Sequence, residues 1–212
     1  MIDTKGLFPR GLAEARGHAS LVPMLSRRSL LLGSLFATVG MSATRSADAS
    51  VARALSLSDL VRGSRHALVA TPVDLFAQWE TIGKHRRIIT YTMVRTEYSI
   101  DGRPPGTRDV LVRTLGGIVD GIGQIVPGEA VLRRGATSAL FISDVSKDLF
   151  AVTGMAQGHY PLVSDAQGMR RLTASRGALE VAADANAAVK RLEGRSLEEV
   201  ESLVYAELRG AR

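Results

Sequence analysis

Residues 87–100 read RIITYTMVRTEYSI, and this run predicts a long β-strand. Isoleucine, valine, threonine and tyrosine are frequent in it, and β-branched and aromatic side chains favour strands. The next six residues, DGRPPG at 101–106, form a strong turn signal because glycine and proline interrupt regular structure. We therefore expect residues 87–100 and 108–115 to pair as a β-hairpin.

Further strand patterns lie on both sides of this hairpin. Residues 66–78 precede it, with Pro72 indicating an edge or a bend. Four short strand patterns follow it, at residues 138–143, 150–154, 160–163 and 169–174. Six to eight strands with turns at this spacing indicate a small curled antiparallel sheet. The expected fold class is α+β, mainly β, with the sheet forming an OB-like barrel or, alternatively, a sandwich.

Helical patterns flank the strands. Residues 54–65 predict a short helix capped by Ser56 or Ser58, and residues 179–192 predict an alanine-rich one. A last helix begins after Ser196, which with Glu199 makes a capping box. The expected division of the chain is a leader over 1–49, a barrel-like β-domain over 50–178 and a helical tail over 179–212. The tail packs on the β-domain or contacts a partner.

The leader has the three-part pattern of an export signal. Arg27 and Arg28 precede 16 uncharged residues, 29–44, and the small residues Ala47 and Ala49 provide a cleavage site. The uncharged run is shorter than the roughly 20 apolar residues of a membrane-spanning helix. After cleavage, we expect a periplasmic or secreted chain without a transmembrane segment.

The same segment resembles a twin-arginine translocation signal. Ser26, Arg27, Arg28 and Leu31 match the recognition pattern of such signals, whereas Leu30 replaces the usual phenylalanine. This resemblance implies that the leader engages the twin-arginine translocase.

Several alternatives to this interpretation of the leader stay open. The general secretory route is the alternative to the twin-arginine route. Residues 26–44 are also compatible with an ordinary amphipathic or buried helix. Translation from Met24 would give a leader of usual length, and residues 1–23 would then be a mis-assigned start or an extension.

Charge and cysteine content exclude several classes of protein. The chain has a net charge of +6, but six of its 27 basic and three of its 21 acidic residues lie in 1–49. The remaining 163 residues hold 21 basic and 18 acidic side chains, a balance too even for the footprint of a nucleic-acid binder. No cysteine is present, which excludes disulfides, thiolate nucleophiles, iron–sulfur clusters and thiolate zinc sites.

The glycine-rich stretch 116–128 matches no phosphate-binding loop. No Lys-Ser or Lys-Thr pair follows its glycines, and Gly121-x-Gly123 lacks the third glycine of the dinucleotide fingerprint. Glycines among β-branched residues instead indicate bends in a curled sheet. We therefore expect no cofactor.

Asp120, His159 and Tyr160 are the candidate catalytic residues. The segment GMAQGHY at 154–160 places two glycines before His159, and a turn there could bring His159 and Tyr160 to a cleft that also holds Asp120. The alternative is that all three are ordinary turn residues. No pair of histidines has metal-ligand spacing, so no metal is expected, and no Gly-x-Ser-x-Gly elbow supports a serine hydrolase.

Arginine pairs occur at 86–87, 133–134 and 170–171. On a barrel they could form a basic stripe for nucleic acid, but such surfaces also need exposed aromatic residues for base stacking. Only 5% of the residues are aromatic, so solvated turns are the favoured interpretation and nucleic acid is not an expected partner.

Four segments together resemble a group of uncharacterised, exported, β-rich bacterial proteins. They are GGIVDG at 116–121, VPGEA at 126–130, LFI at 140–142 and VTGMAQG at 152–158. The resemblance covers residues 67–163. It implies an envelope location and a small β-domain, and it brings no catalytic residues.

Two functions follow as expectations. The first is a non-enzymatic exported β-domain that binds a partner or a surface in the envelope or outside the cell. The rival is an exported hydrolase-like enzyme with a cleft containing Asp120, His159 and Tyr160.

Overall fold

The computed structural model describes residues 53–179 and 186–210. The predicted leader, including Met24, lies outside them. Its recognition residues Ser26, Arg27, Arg28 and Leu31 and its cleavage residues Ala47 and Ala49 therefore stay predictions.

The described part of the chain contains nine strands and four α-helices. The strands are β1 (His66–Ile82), β2 (His85–Ser99), β3 (Asp109–Leu115), β4 (Gly117–Val119), β5 (Ile122–Gln124), β6 (Ser138–Ser146), β7 (Leu149–Val152), β8 (His159–Ser164) and β9 (Arg170–Leu172). The helices are α1 (Leu57–Gly63), α2 (Arg176–Leu179), α3 (Ala188–Leu192) and α4 (Leu197–Arg209), and a 3₁₀ helix spans Met155–Gly158.

Five strands form a ring of hydrogen-bonded neighbours. Their order is β1-β2-β3-β7-β6, and β6 pairs in turn with β1. The predicted hairpin is confirmed, because β2 pairs with β3 from Ile89 and Leu115 to Arg95 and Asp109. This curled, mainly β architecture, with a short first helix and a C-terminal helix, confirms the predicted fold class.

The sheet is mixed, whereas a purely antiparallel sheet was expected. β3 and β7 run parallel, with Leu111 beside Leu149 and Arg113 beside Ala151. A parallel pair needs a long crossover between its strands. Here the crossover contains the β4–β5 hairpin and β6, and the β6–β7 turn then returns the chain beside β3.

Two apolar cores lie on the two faces of the ring strands. The first contains at least one buried residue from each ring strand, including Leu68, Val94, Val112, Leu140 and Val152. The second core lies on the opposite face and joins the strands to the helices. Consecutive residues of a strand point to opposite faces, so β6 contributes to both cores and reads as a continuous apolar run.

The terminal helices complete the second core. The predicted capping box of α4 is confirmed: the Glu199 N–H donates to the Ser196 hydroxyl at 3.3 Å, and the Ser196 N–H donates to the Glu199 carboxylate at 2.8 Å. Val200 and Val204 of α4 are buried in the core that also holds Leu57. Among the described elements, none of the helices has the length and apolar content needed to cross a membrane.

The alanine-rich segment differs from the continuous helix expected over 179–192. Its described parts are α2 and α3, and Ala187 immediately before α3 has an extended ψ of 135°. Ala187 forms an antiparallel bridge with Ser56, and the Ala188 N–H donates to the Leu55 carbonyl at 2.7 Å. Pairing with the segment before α1 therefore replaces helix at this point.

Candidate functional site

Asp120 lies in the turn between β4 and β5. Asp120 and Gly121 have positive φ angles of 51° and 77°, and Val119 and Ile122 on either side of them pair across the ladder. Two consecutive positive φ angles are required by a type I′ turn, for which Asp-Gly is a preferred pair. Turn chemistry therefore explains Asp120, whose side chain is exposed.

The base of the β4–β5 hairpin is fixed on β2. The Gly116 N–H donates to the Ile88 carbonyl at 2.8 Å, and the Thr90 hydroxyl donates to the Gly116 carbonyl at 2.6 Å. The Gln124 side chain accepts from the Ile88 N–H at 2.8 Å. At Gly117, where φ is 133°, an added Cβ would lie 2.3 Å from the Thr90 hydroxyl oxygen, so only glycine fits.

Residues 118–125 run from β4 through the turn to the residue after β5 and carry three exposed isoleucines, and we call this segment the hairpin tip; Ile118 and Ile122 lie near the turn, and Ile125 follows β5. Ile118, Ile122 and Ile125 are 73%, 56% and 92% exposed. Ile118 stands opposite Gly123 and Ile122 opposite Val119, so apolar side chains project from both faces of the ribbon. Monomeric soluble proteins rarely expose large apolar patches, and a large exposed patch usually marks a binding surface.

His159 lines a cavity of about 460 Å³, and Ser138 and Arg176 line the same cavity. The imidazole is buried, and its Nε2 lies 3.1 Å from the Ser138 Oγ. Its Nδ1 has no hydrogen-bond partner in the described part of the chain. Burial lowers the pKa of His159 to about 4, so the ring is neutral at neutral pH.

The hydrogen-bond network assigns the ring proton to Nε2. The Ser138 Oγ lies 3.3 Å from the Ala136 carbonyl, to which it can donate, and Nε2–H of His159 then donates to Ser138. The other tautomer would bury an N–H donor with no acceptor, which is the more costly state. A nucleophilic serine needs the opposite arrangement, in which the hydroxyl donates to Nε2 and a carboxylate accepts from Nδ1–H.

Tyr160 faces away from this cavity. It follows His159 on β8 and is buried in the second core, with its ring 6.1 Å from that of Phe141 in an edge-to-face contact. Its hydroxyl has no hydrogen-bond partner within the described residues. Burial raises the pKa of Tyr160 well above its ordinary value.

The three candidate residues therefore occupy three different environments. Asp120 lies at an exposed turn, His159 at a cavity wall and Tyr160 in the helix-facing core. Asp120 and Tyr160 are not among the residues that line the His159 cavity. The structure does not bring Asp120, His159 and Tyr160 together in one cleft.

Glu129 is a charged residue that the sequence interpretation overlooked. It lines the His159 cavity and a second cavity of about 220 Å³, which Arg113 and Met155 also border. Its Oε1 accepts from the Ala130 N–H at 3.0 Å, and burial raises the pKa of its carboxyl group. Glu129 directly follows a Pro-Gly turn in the sequence, and nothing in this local pattern predicts that its side chain lies between two cavities.

The segment GMAQG at 154–158 holds the chain that precedes α1. The Gln157 Oε1 accepts from the Leu55 N–H at 2.7 Å, and the Gln157 Nε2 donates to the Arg53 carbonyl at 3.1 Å. An added Cβ at Gly154 would lie 2.3 Å from a Leu55 methyl carbon, and one at Gly158 would lie 2.5 Å from the Thr153 carbonyl oxygen. A structural role thus explains both glycines and the glutamine.

Most residues of the three arginine pairs have intramolecular partners. Arg134 pairs with Asp74, Arg170 with Glu97 at 2.9 Å, and Arg171 with Asp165 at 2.7 Å. Arg86 lies over the Trp79 ring, 4.7 Å from its centroid. Within residues 53–179 and 186–210, no group of three histidine, aspartate or glutamate side chains could hold a metal ion.

Comparison with protein-family models, with curated proteins and with solved structures finds no match to this chain.

Proposed function

We propose that this protein is an exported, non-enzymatic β-domain that binds a protein partner in the envelope or outside the cell. The observation that carries the proposal is the hairpin tip. Ile118, Ile122 and Ile125 are exposed there, and neither apolar core includes them.

The base of the hairpin that carries this tip is attached to β2. Gly117 allows its base to approach β2 closely, and the Thr90 and Gln124 hydrogen bonds hold the base in place. The fold does not need isoleucines in solvent, because the Asp120–Gly121 turn and the hydrogen bonds of the base to β2 form the hairpin without them. An apolar groove on another exported protein is the partner surface that would bury both faces of the ribbon.

The predicted cleavage site precedes the residues that hold the segment before α1. Arg53 and Leu55 are held by Gln157, and α1 starts two residues later at Leu57. Cleavage after Ala49 would leave all of these contacts in place. Processing at the predicted site is therefore compatible with the described contacts of the segment before α1.

The hydrolase alternative has weaker support. The Ser138 hydroxyl lies next to His159, but Ser138 is buried and the assigned tautomer does not activate it. Asp120 does not line the His159 cavity. A binding role requires none of these groups to act as acid, base or nucleophile.

Export is tested by fractionation and N-terminal sequencing. The wild-type chain is expected outside the cytoplasm with a mature start near Ser50, and an R27K/R28K variant is expected to stay inside. Cytoplasmic wild-type protein with an intact leader would contradict the proposal.

Partner binding is tested by co-purification of one stoichiometric protein from the exported fraction. The I122D/I125D variant places charges on the hairpin tip and is expected to lose this protein. V145D/V163D, which changes two exposed strand valines elsewhere, is the matched control and is expected to retain it. Equal retention by both variants would exclude the hairpin tip as the binding surface.

A further inference from the structure

The outer edge of β1 is unpaired over half of its length. β1 pairs with β2 from Leu68 to Ile82, but its pairing with β6 covers only His66–Ala70. From Asp74 to Ile82, therefore, one edge of β1 carries backbone N–H and C=O groups that no described strand satisfies.

This edge lacks the usual features that prevent strand pairing. Natural edges are commonly protected by proline, bulges or exposed charges. Pro72 and the bulge between Pro72 and Asp74 protect only the start of the edge, and the register from Asp74 to Ile82 is regular. Phe76 and Ile82 on this edge are 53% and 37% exposed. Its two acidic residues already have partners: Asp74 pairs with Arg134, and Glu80 accepts a hydrogen bond from Tyr91 and pairs with Arg113.

We propose that a second copy of this chain pairs antiparallel with this edge, across a two-fold axis at Trp79. In this register Phe76 of each copy faces Ile82 of the other, which buries the exposed apolar side chains against each other. Gln78 faces Glu80, so polar side chains also stand opposite each other in this register. The surface is the edge of β1 and not the hairpin tip.

Neighbouring registers are less favourable. An axis at Gln78 would place Phe76 opposite Glu80, and an axis at Glu80 would place the two Glu80 carboxylates opposite each other. An axis at Ala77 would place Asp74 opposite Glu80. A carboxylate opposite Phe76 loses the apolar contact with Ile82, and like charges directly opposite one another destabilise a strand pair, so cross-strand chemistry selects the axis at Trp79.

Sedimentation velocity over a wide range of concentrations tests the association. The full chain is expected to form a dimer, and Ile82→Lys, which places a charge opposite Phe76, is expected to shift it to monomer. Val163→Lys is the matched control at an exposed strand valine outside this edge, and it is expected to dimerise like wild type. A monomeric wild-type chain, or a dimer that Ile82→Lys leaves unchanged, would overturn the proposal.

Disulfide cross-linking tests the register, because the natural chain contains no cysteine. A mixture of Phe76→Cys and Ile82→Cys chains is expected to form a cross-linked heterodimer on mild oxidation. Each variant alone is expected not to cross-link, since equivalent positions would be about 20 Å apart at ~3.4 Å per residue. The mixture keeps one native Phe76–Ile82 contact, so folding and pairing are preserved. Equal cross-linking of either variant alone would overturn the register.

Discussion

The Ser138 Oγ and the His159 Nε2 lie 3.1 Å apart in a buried pair. Burial lowers the pKa of His159 to about 4, whereas the unfolded chain takes up this proton near the ordinary value of 6.5. The unfolded state thus binds more protons between these two values, and stability falls as pH falls through this window.

We expect His159→Gln to reduce this pH dependence. Glutamine retains a donor near the Ser138 hydroxyl but does not titrate. Between pH 6.5 and 4, the free energy of unfolding of wild type should fall by about 3 kcal/mol more than that of the variant, at about 1.4 kcal/mol per pKa unit. Urea unfolding at several pH values measures the difference, and parallel pH profiles would contradict the buried neutral imidazole.

Tyr160→Phe is expected to raise the free energy of unfolding by about 1 kcal/mol. The Tyr160 hydroxyl is buried without a hydrogen-bond partner in the described part of the chain, and such a group carries a desolvation penalty. The ring contact with Phe141 is retained in the variant. Tyr98→Phe, at a half-buried tyrosine whose hydroxyl is not among the buried groups without a partner, serves as the control without this gain. A marked fall in the free energy of unfolding of Tyr160→Phe would show that the Tyr160 hydroxyl has a hydrogen-bond partner, which would contradict its unpaired state.

Gln157→Leu is expected to lower the free energy of unfolding by about 1–3 kcal/mol, because it leaves the Leu55 N–H unpaired. Hydrogen exchange should accelerate most at the Leu55 amide. Gln167→Leu, at an exposed loop position, is the control and should change neither quantity. Unchanged exchange at Leu55 in the Gln157 variant would show that Gln157 does not hold this segment.

Local chemistry made much of the fold predictable. The β2–β3 hairpin and the Ser196–Glu199 capping box follow from short-range patterns, and the structure contains both. The Asp120-Gly121 pair was an equally local signal for a hairpin turn. Its interpretation as a bend missed the β4–β5 hairpin and hence the hairpin tip.

The remaining features depend on contacts between distant residues. The parallel pairing of β3 with β7 follows from the path of a long crossover, which no local pattern specifies. Gln157 and Leu55 are 102 residues apart, and the break at Ala187 follows from its bridge to Ser56. Glu129 gains its half-buried position between two cavities in the same way, from elements that meet only in the folded chain.

Site-specific photo-crosslinking in the exported fraction tests the central claim most directly. A photoreactive residue at Ile125, the most exposed of the three isoleucines in the hairpin tip, is expected to form one discrete adduct with a second protein. The same residue at Val163, an exposed position on β8, is expected to form none. Absence of an adduct at Ile125, or the same adduct at both positions, would contradict a binding role for the hairpin tip.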